Sequence, residues 1–279
     1  MKTIRILIML AFPLFAAAQK PVDFVYPFTG TDHMGHTFPG ATVPFGMVQL
    51  SPDTDTIPYS TGQGYNKDVY AYCAGYQYND QTICGFSHTH FSGTGHSDLG
   101  DFLLMPTTGK LLLNPGTRNI PASGSRSRFS HDQEQASPGY YAVKLDDYGI
   151  LTELTATERV GFHRYTYDQA GESNLILDMS AGIYNYPGKN TWQFIRVEND
   201  TLITGYRQTR GWARTRTLYF AMVLSKPIQR YGFENPEEII YRGFYRKFNE
   251  KENFPEMAGK EITAWFRFSM AAGEALIVK

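Results

Sequence analysis

The strongest constraint on the fold is the rhythm of the sequence after residue 20. Short runs in which apolar and polar residues alternate are separated by turn-forming Gly, Pro, Asn and Asp. Every second residue is apolar from Leu218 to Leu224 and again from Ile262 to Phe268. A period of two places these residues on one face of a strand. Many short runs of this kind, closed by turns, predict an all-β sandwich or barrel.

The remaining segments also favour strands and turns, with one exception. Only one stretch favours a helix, Pro236 to Phe248, because Asn235 can cap it and Pro236 suits a first helical turn. Turns are predicted at 146–149, 168–171 and 198–200. Strands are predicted at Tyr140–Leu145, Ile150–Val160, Phe162–Tyr167, Leu175–Met179 and Ala275–Lys279.

Residues 1–18 have the pattern of a secretory signal peptide. Lys2 and Arg5 come before an apolar run from Ile6 to Phe15, and a run of alanines ends at Ala18. An uncleaved anchor is the alternative, but the run is shorter than the about 20 residues of a membrane span. We therefore expect residues 19–279 to be exported, to the periplasm or the cell surface, with no membrane span after cleavage.

Charge excludes one large class of partner. The chain has 26 Lys and Arg against 27 Asp and Glu, a formal net charge of −1, and loss of residues 1–18 makes it slightly more acidic. A domain that binds nucleic acid usually carries a basic surface. We expect no nucleic-acid partner.

The chain has two cysteines, Cys73 and Cys84, on either side of a predicted turn at 78–81. In an exported protein they could form a disulfide across a hairpin. Two buried thiols are the alternative, and the sequence leaves both open.

Two loop-like blocks, 30–54 and 85–101, hold five of the seven histidines among many Gly, Pro, Ser and Thr residues. Loops of this composition expose backbone amides and let polar side chains converge on a ligand. Tyrosines between the blocks could stack on sugar rings, although each could equally pack at a sheet edge. The other chemistry to weigh is a zinc site built from His88, His90, His96, Asp98 and Asp101, but the spacing is not diagnostic of one.

The two blocks also resemble a known family. The segments are GHTFPGATVPFGMVQLSPDT at 35–54 and GFSHTHFSGTG at 85–95, and they are similar to the amino-terminal domain of the glycoside hydrolase family 92 α-mannosidases. The resemblance covers nearly all of the chain after residue 18. Further matching segments lie at 161–165, 203–207, 211–213, 219–221 and 225–227.

This resemblance implies a fold and an activity. Members of the family are exported bacterial enzymes, common in Bacteroidetes, that remove α-linked mannose, most often α-1,2-linked, from N-glycans or mannan. They are exo-acting, calcium-dependent and invert the anomeric configuration. Their architecture joins an amino-terminal β-sandwich to an (α/α)6 barrel, with the active site between the two. Residues 19–279 would be the β-sandwich, and the helical catalytic domain is absent from the sequence.

The resemblance assigns no catalytic residue and no calcium ligand to this chain, because the family carries both mainly in the helical domain. It implies supporting roles in binding an α-mannoside glycan or in contacting the helical domain. Tyr72 stands where the family often has a sugar-stacking tryptophan, just before the segment Cys73 to Tyr76. The substrate-binding candidates are Tyr72, Cys73, Tyr76, His36, His88, His90, Thr94 and Asp98.

Three interpretations remain at this point. The chain is an inactive piece of a longer α-mannosidase, a separate mannose-binding module, or a gene remnant. The strand-like residues up to Lys279, without a turn signal, favour the first, because a separate module would be expected to protect its own sheet edge.

Overall fold

The computed structural model describes residues 20–55, 57–58, 60, 62–93, 99–236 and 254–279. The described chain is built from strands and four short 3-10 helices, Pro21–Phe24, Lys67–Tyr72, Pro121–Ser123 and His131–Gln133. The predicted signal peptide and most of the predicted helix at 236–248 lie outside the described residues. No helix among the described residues is long and apolar enough to cross a membrane. The strands are β1 (Ala41–Thr42), β2 (Gln49–Asp53), β3 (Thr82–Ile83), β4 (Gly85–Ser87), β5 (Leu103–Thr108), β6 (Ser127–Arg128), β7 (Glu134–Ser137), β8 (Tyr140–Leu145), β9 (Ile150–Ala156), β10 (Gly161–Tyr167), β11 (Gly171–Asp178), β12 (Asn190–Asn199), β13 (Leu202–Thr209), β14 (Arg216–Val223), β15 (Arg230–Glu234), β16 (Glu256–Gly259), β17 (Thr263–Met270) and β18 (Ala275–Val278).

The strands form antiparallel sheets. The largest has seven strands in the order β1-β2-β4-β5-β11-β17-β15. A second has the order β18-β10-β9-β8-β7, a third the order β14-β13-β12-β16, and β3 pairs with β6 alone. The three larger sheets share one hydrophobic core, to which Phe266, Tyr165 and Ile203 contribute from the first, second and third sheet. Burial of apolar area of this kind is the main stabilising contribution to such a fold. The predicted all-β sandwich is confirmed.

The period-two pattern correctly identified the core faces of β14 and β17. Ala264, Phe266 and Phe268 have no exposed surface, whereas Tyr219 and Val223 on the other face of β14 are exposed. Two predicted strand boundaries were wrong. β9 ends at Ala156 because Thr157 donates a backbone hydrogen bond to Val160 and closes a turn. β11 begins at Gly171, since pairing with β17 extends the strand through polar residues that carry no apolar signal.

Candidate functional site

The loops that follow several strands meet on one surface, which we call the loop face: residues 28–40, 62–80, 88–93, 179–189 and 210–215. Backbone hydrogen bonds connect them, from Tyr78 to Thr31, from Gly93 to His36 and from Arg210 to Lys189. A small apolar cluster, separate from the main core, packs Val69 and Cys73 against Ile183 and Tyr184. The loop face is therefore held together by its own contacts, and it contains part of each sequence block, residues 30–40 and 88–93.

His36 joins the two blocks. Its Nδ1 lies 3.0 Å from the Gly93 carbonyl oxygen, and the Gly93 amide donates back to the His36 carbonyl at 2.7 Å. The ring packs edge-on against Tyr70, with centroids 4.7 Å apart. The residue has φ of 53°, a conformation that non-glycine residues seldom adopt and that is common at functional sites. Because Nδ1 donates to a carbonyl, the neutral ring keeps an acceptor at Nε2. That Nε2 is buried and has no hydrogen-bond partner in the described part of the chain.

His90 lies beneath the loop face with no exposed side-chain surface. Its Nδ1 is 2.7 Å from the Gln49 carbonyl oxygen, so this nitrogen carries a proton. Its Nε2 is 3.1 Å from Asp53 Oδ1 and 3.2 Å from Ser87 Oγ. Asp53 and Ser87 therefore hold the Nε2 edge of the ring, opposite the Gln49 carbonyl. Gly75, with φ of 83°, closes over this pair, and a Cβ atom there would lie 2.2 Å from Asp53 Oδ1.

Asp101 is a buried anion held by two cations. Its side chain accepts hydrogen bonds from Arg216 at 2.8 and 3.1 Å, from Arg207 at 3.3 Å and from Thr89 at 2.6 Å. Burial alone would raise the pKa of Asp101, but Arg207 and Arg216 together with Thr89 hold it below its usual value. Arg207 also donates to the Ala181 carbonyl and to Asn190. The ion cluster therefore fixes the 179–189 loop to the loop after β4.

Tyr72, the candidate for sugar stacking, is only 8% exposed. Its hydroxyl donates to both carboxylate oxygens of Asp80, and Arg118 lies 3.3 Å from the same hydroxyl. Burial and the Asp80 carboxylate raise the pKa of Tyr72, and burial also raises that of Asp80. This placement counts against an open stacking platform at Tyr72.

Tyr76, another candidate, is fully buried and donates to Glu134 at 3.0 Å. Tyr141 donates to Glu134 at 2.6 Å, and His131 Nδ1 lies 2.6 Å from the same carboxylate. Tyr76 therefore takes part in a polar cluster of the core, away from solvent.

His88 does not face the loops. Its Nδ1 donates to the Phe102 carbonyl at 2.8 Å, and its Nε2 lies 3.0 Å from Nε2 of His163. Tyr165 donates in turn to His163 Nδ1 at 2.8 Å. This chain of bonds satisfies every ring nitrogen with both rings neutral. Burial lowers the pKa of both histidines. His90 lowers the pKa of His88 further, and His88 lowers that of His163.

Cys73 and Cys84 are two buried thiols, the second of the alternatives that the sequence left open. Cys73 ends the 3-10 helix at 67–72 and Cys84 precedes β4, and both are buried thiols without a disulfide. The hairpin that would have placed them opposite each other does not form: residues 73–77 form no strand, and β3 pairs with β6. Burial raises the pKa of Cys84 to about 12.

Thr94 and Asp98 lie outside the described residues, as does His96 of the zinc hypothesis. The three described members of that set, His88, His90 and Asp101, have different partners. No group of three or more His, Cys, Asp or Glu residues that could hold a metal ion occurs in the described ranges.

Sequence reasoning missed Arg207, Arg216 and His163. Arg207 had a readable signal, because it occupies an inward position in β13, between Gly205 and Thr209. A charged residue at such a position needs a buried partner. The sequence offered no means to identify that partner as Asp101.

Comparison with known proteins gives a consistent result. The model of the glycosyl hydrolase family 92 N-terminal domain matches residues 24–279. A family GH92 α-mannosidase from Bacteroides thetaiotaomicron, BT3965, solved with mannoimidazole, is 39% identical with a TM-score of 0.78. The alignment covers 92% of this chain and 31% of that one.

Two further relatives extend the comparison. The inverting GH92 mannosidase BT2199 from Bacteroides thetaiotaomicron VPI-5482 is 24% identical over 94% of this chain and 31% of its own, with a TM-score of 0.68, which shows a shared fold. An uncharacterized secreted glycosidase from Arthroderma benhamiae is 32% identical over 158 residues, 54% of this chain and 18% of that protein. The chain thus spans less than a third of the length of these relatives.

Proposed function

Since the chain belongs to glycosyl hydrolase family 92 as its amino-terminal domain, we propose that it forms one wall of the active-site cleft of an exported α-mannosidase. The reaction is exo-hydrolysis of α-linked mannose from N-glycans or mannan, with inversion at the anomeric carbon. The observation that carries the proposal is the 39% identity to an α-mannosidase along 92% of this chain. The other wall belongs to a carboxy-terminal helical domain, and the chain is inactive without it.

The loop face is the surface that suits the cleft. It contains His36 Nε2, a buried acceptor without a partner in the described chain, and the exposed side chains of Met34, Phe91 and Trp212. An unpaired buried polar atom costs about 1–3 kcal/mol, so a ligand hydroxyl or a second domain that pairs with it recovers that energy. Sugars combine hydroxyl donors with apolar ring faces, which match these two kinds of group.

The carboxylates Asp101, Asp55 and Asp80, which lie at or next to the loop face, do not suit acid–base catalysis. An inverting glycosidase needs an acid and a base whose carboxyl groups lie roughly 6.5–9.5 Å apart and are open to substrate and water. Asp101 is bound by two arginines, Asp55 by Arg126 at 2.9 Å and Asp80 by Tyr72. Each is committed to holding a loop. We assign both catalytic carboxylates to the other domain.

Calcium, which the family uses, does not fit the described residues of this chain. They contain no group of three or more His, Cys, Asp or Glu residues that could hold a metal ion, and the buried Asp101 is already paired with two arginines. Calcium binding is therefore assigned to the proposed helical domain, and no step here depends on it.

Export is supported by residues 1–18 and by the relative that is described as secreted. The final location is the periplasm or the cell surface.

The test compares the native-length polypeptide with residues 19–279 alone, using α-1,2-mannobiose and proton NMR to identify the anomer released. We expect the native-length protein to release β-mannose and to lose activity with a calcium chelator. We expect residues 19–279 to release none. Release of mannose by residues 19–279 alone would overturn the proposal, and mannose binding without hydrolysis by a native polypeptide of this length would favour a binding module.

A further inference from the structure

β18 lies in a slot between two strands. On one side it pairs with β10, with Val278 opposite His163. On the other side its last residues reach β14 and the segment after it. Val223 and Lys279 exchange both backbone hydrogen bonds, at 2.8 and 2.9 Å, and Ser225 donates to the Ile277 carbonyl at 2.9 Å. Backbone hydrogen bonds therefore join the five-stranded and four-stranded sheets at this place.

The rest of β14 is an open sheet edge in the described chain. β14 is the first strand of its sheet, and only β13 pairs along its length. Leu224 donates to Thr201 on the β13 side, whereas Val223 donates to Lys279 on the other side. Because amide directions alternate along an antiparallel strand, the amides of Ala221 and Tyr219 point to the same side as that of Val223. An open edge of this length is a template for another strand.

A groove of about 440 Å³ continues the slot along this edge. One wall is β14 from Leu218 to Val223, and the opposite wall is Arg159 to Gly161 at the start of β10. Most of the lining is apolar and includes Met47, Phe102 and Leu177, with His88 and His163 at the base. Val278 and Lys279 close one end of the groove.

We propose that the polypeptide beyond Lys279 continues β18 as a strand in this groove, paired with β14 on one side and with the start of β10 on the other. The register follows from the pairs already formed. The first residue after Lys279 lies opposite Met222 and Gly161, and the second lies opposite Ala221. The added strand merges the five-stranded and four-stranded sheets into one. The inference rests on the proposed function only for the existence of polypeptide after Lys279.

The register also predicts side-chain character. Val278 points inward and is buried, whereas Lys279 is exposed, so the alternation continues beyond them. The first and third residues after Lys279 face the groove beside Met222 and Phe220, and these two are apolar. The second and fourth lie on the outer face beside Ala221 and Tyr219.

The first test is amide hydrogen exchange of the native-length protein. The amides of Ala221 and Tyr219 are expected to exchange as slowly as those of Phe220 and Met222, which bond to β13. In a chain ending at Lys279 the same two amides are expected to exchange at least about 100-fold faster than their neighbours, as for an exposed edge. Fast exchange of both amides in the native-length protein would overturn the inference, and so would a native polypeptide that ends at Lys279.

The second test does not require the short chain to fold. In the native-length protein, Ala221→Cys is combined with a cysteine at the second residue after Lys279. Residues in such a pair have Cα atoms about 5.5 Å apart, which a disulfide can span. We expect this pair to oxidise. The control, with the cysteine at the first residue after Lys279, points to the opposite face and is expected to stay reduced. Equal oxidation of both pairs, or of neither, would contradict the register.

Both readouts are independent of catalysis. If the native-length protein shows no α-mannosidase activity but protects Ala221 and Tyr219, the proposed function fails and this inference stands. If it is active and the two amides exchange freely, this inference alone fails.

Discussion

Arg216 lies 2.8 Å from Asp101, an aspartate with no exposed side-chain surface, and thereby joins the start of β14 to the loop that follows β4. Arg207 approaches the same carboxylate from β13 at 3.3 Å. Two arginines from one sheet therefore hold an acid from the loop that joins two strands of another sheet. This arrangement fixes the shape of the loop face from below and leaves the solvent side of that face for contacts with a substrate or another domain.

Asp101→Asn tests the importance of this cluster. The change keeps the shape of the side chain but leaves Arg207, which is fully buried, without its anion. Removing one partner of a buried ion pair costs about 3–5 kcal/mol, and we expect a loss of unfolding free energy of that size. The measurement is urea unfolding at neutral pH. Glu274→Gln, which breaks the partly exposed pair with Lys226, is the control and should cost less than about 1 kcal/mol. Similar losses in the two variants would contradict the assignment.

The His88–His163 pair predicts acid sensitivity. Both side chains have a pKa below the ordinary value of about 6.5, whereas the unfolded chain takes up protons near that value. The unfolded state then binds more protons, so stability falls as the pH drops below about 6.5 and is regained above it. The slope is up to about 1.4 kcal/mol per pH unit for each histidine.

Urea unfolding between about pH 5 and pH 8 measures this slope. His163→Gln keeps a donor toward His88 but does not titrate, and it should flatten the slope. His33→Gln, at a largely exposed ring, should leave the slope unchanged. A His163→Gln variant as acid-sensitive as the parent protein would refute the role of the pair.

Gly75 is required for two separable reasons. Its backbone has a positive φ, and a Cβ atom at this position would have no space. Gly75→Ala places a methyl group 2.2 Å from Asp53 Oδ1 and 3.0 Å from the His90 ring, at φ of 83°. Gly139→Ala has a similar φ of 78° with nothing within 4 Å. We expect the second to cost only the conformational strain, about 1–2 kcal/mol, and the first to cost clearly more. Thermal unfolding of both variants makes the comparison, and equal losses would mean that the Asp53–His90 pair is not confined by Gly75.

The cysteines give a prediction about chemistry in solution. Because both thiols are buried and burial raises the pKa of Cys84 to about 12, neither should react with iodoacetamide in the folded protein. In denaturant without reductant, mass spectrometry should find both alkylated. A mass two hydrogens lower with no alkylation would instead show the disulfide between Cys73 and Cys84.

The sequence predicted the strands best where one face packs in the core. β17 is an example, because its apolar residues recur at every second position and all of them are buried. It predicted strands less well where they contain polar residues, as at the start of β11. Backbone pairing with neighbouring strands, which the side-chain pattern does not show, determines that such residues adopt strand conformation. The conformation of 67–72 was missed because a short 3-10 helix leaves no periodic pattern.

For the candidate site, the sequence identified the two blocks and the structure brings His36 and His90 to adjoining loops. The sequence could not show that His88 points to the core, or that the Tyr72 hydroxyl is hydrogen-bonded to Asp80. Those outcomes depend on side-chain contacts that form only in the folded chain. His88 finds its partner on β10, and Tyr72 lies beside Arg118. Sequence spacing alone carries no information on such pairs.

The most direct test of the cleft wall is the kcat/KM of the native-length protein for an α-mannoside after His36→Asn. The asparagine amide can still donate to the Gly93 carbonyl, but the acceptor at Nε2 is lost. His33→Asn, in the same loop with a similar φ of 48° and an exposed ring, is the matched control. We predict a fall of about 10-fold to 100-fold for His36→Asn, corresponding to one lost hydrogen bond in the cleft, and no change for His33→Asn. A His36→Asn enzyme that is folded and as active as the parent protein would contradict the account.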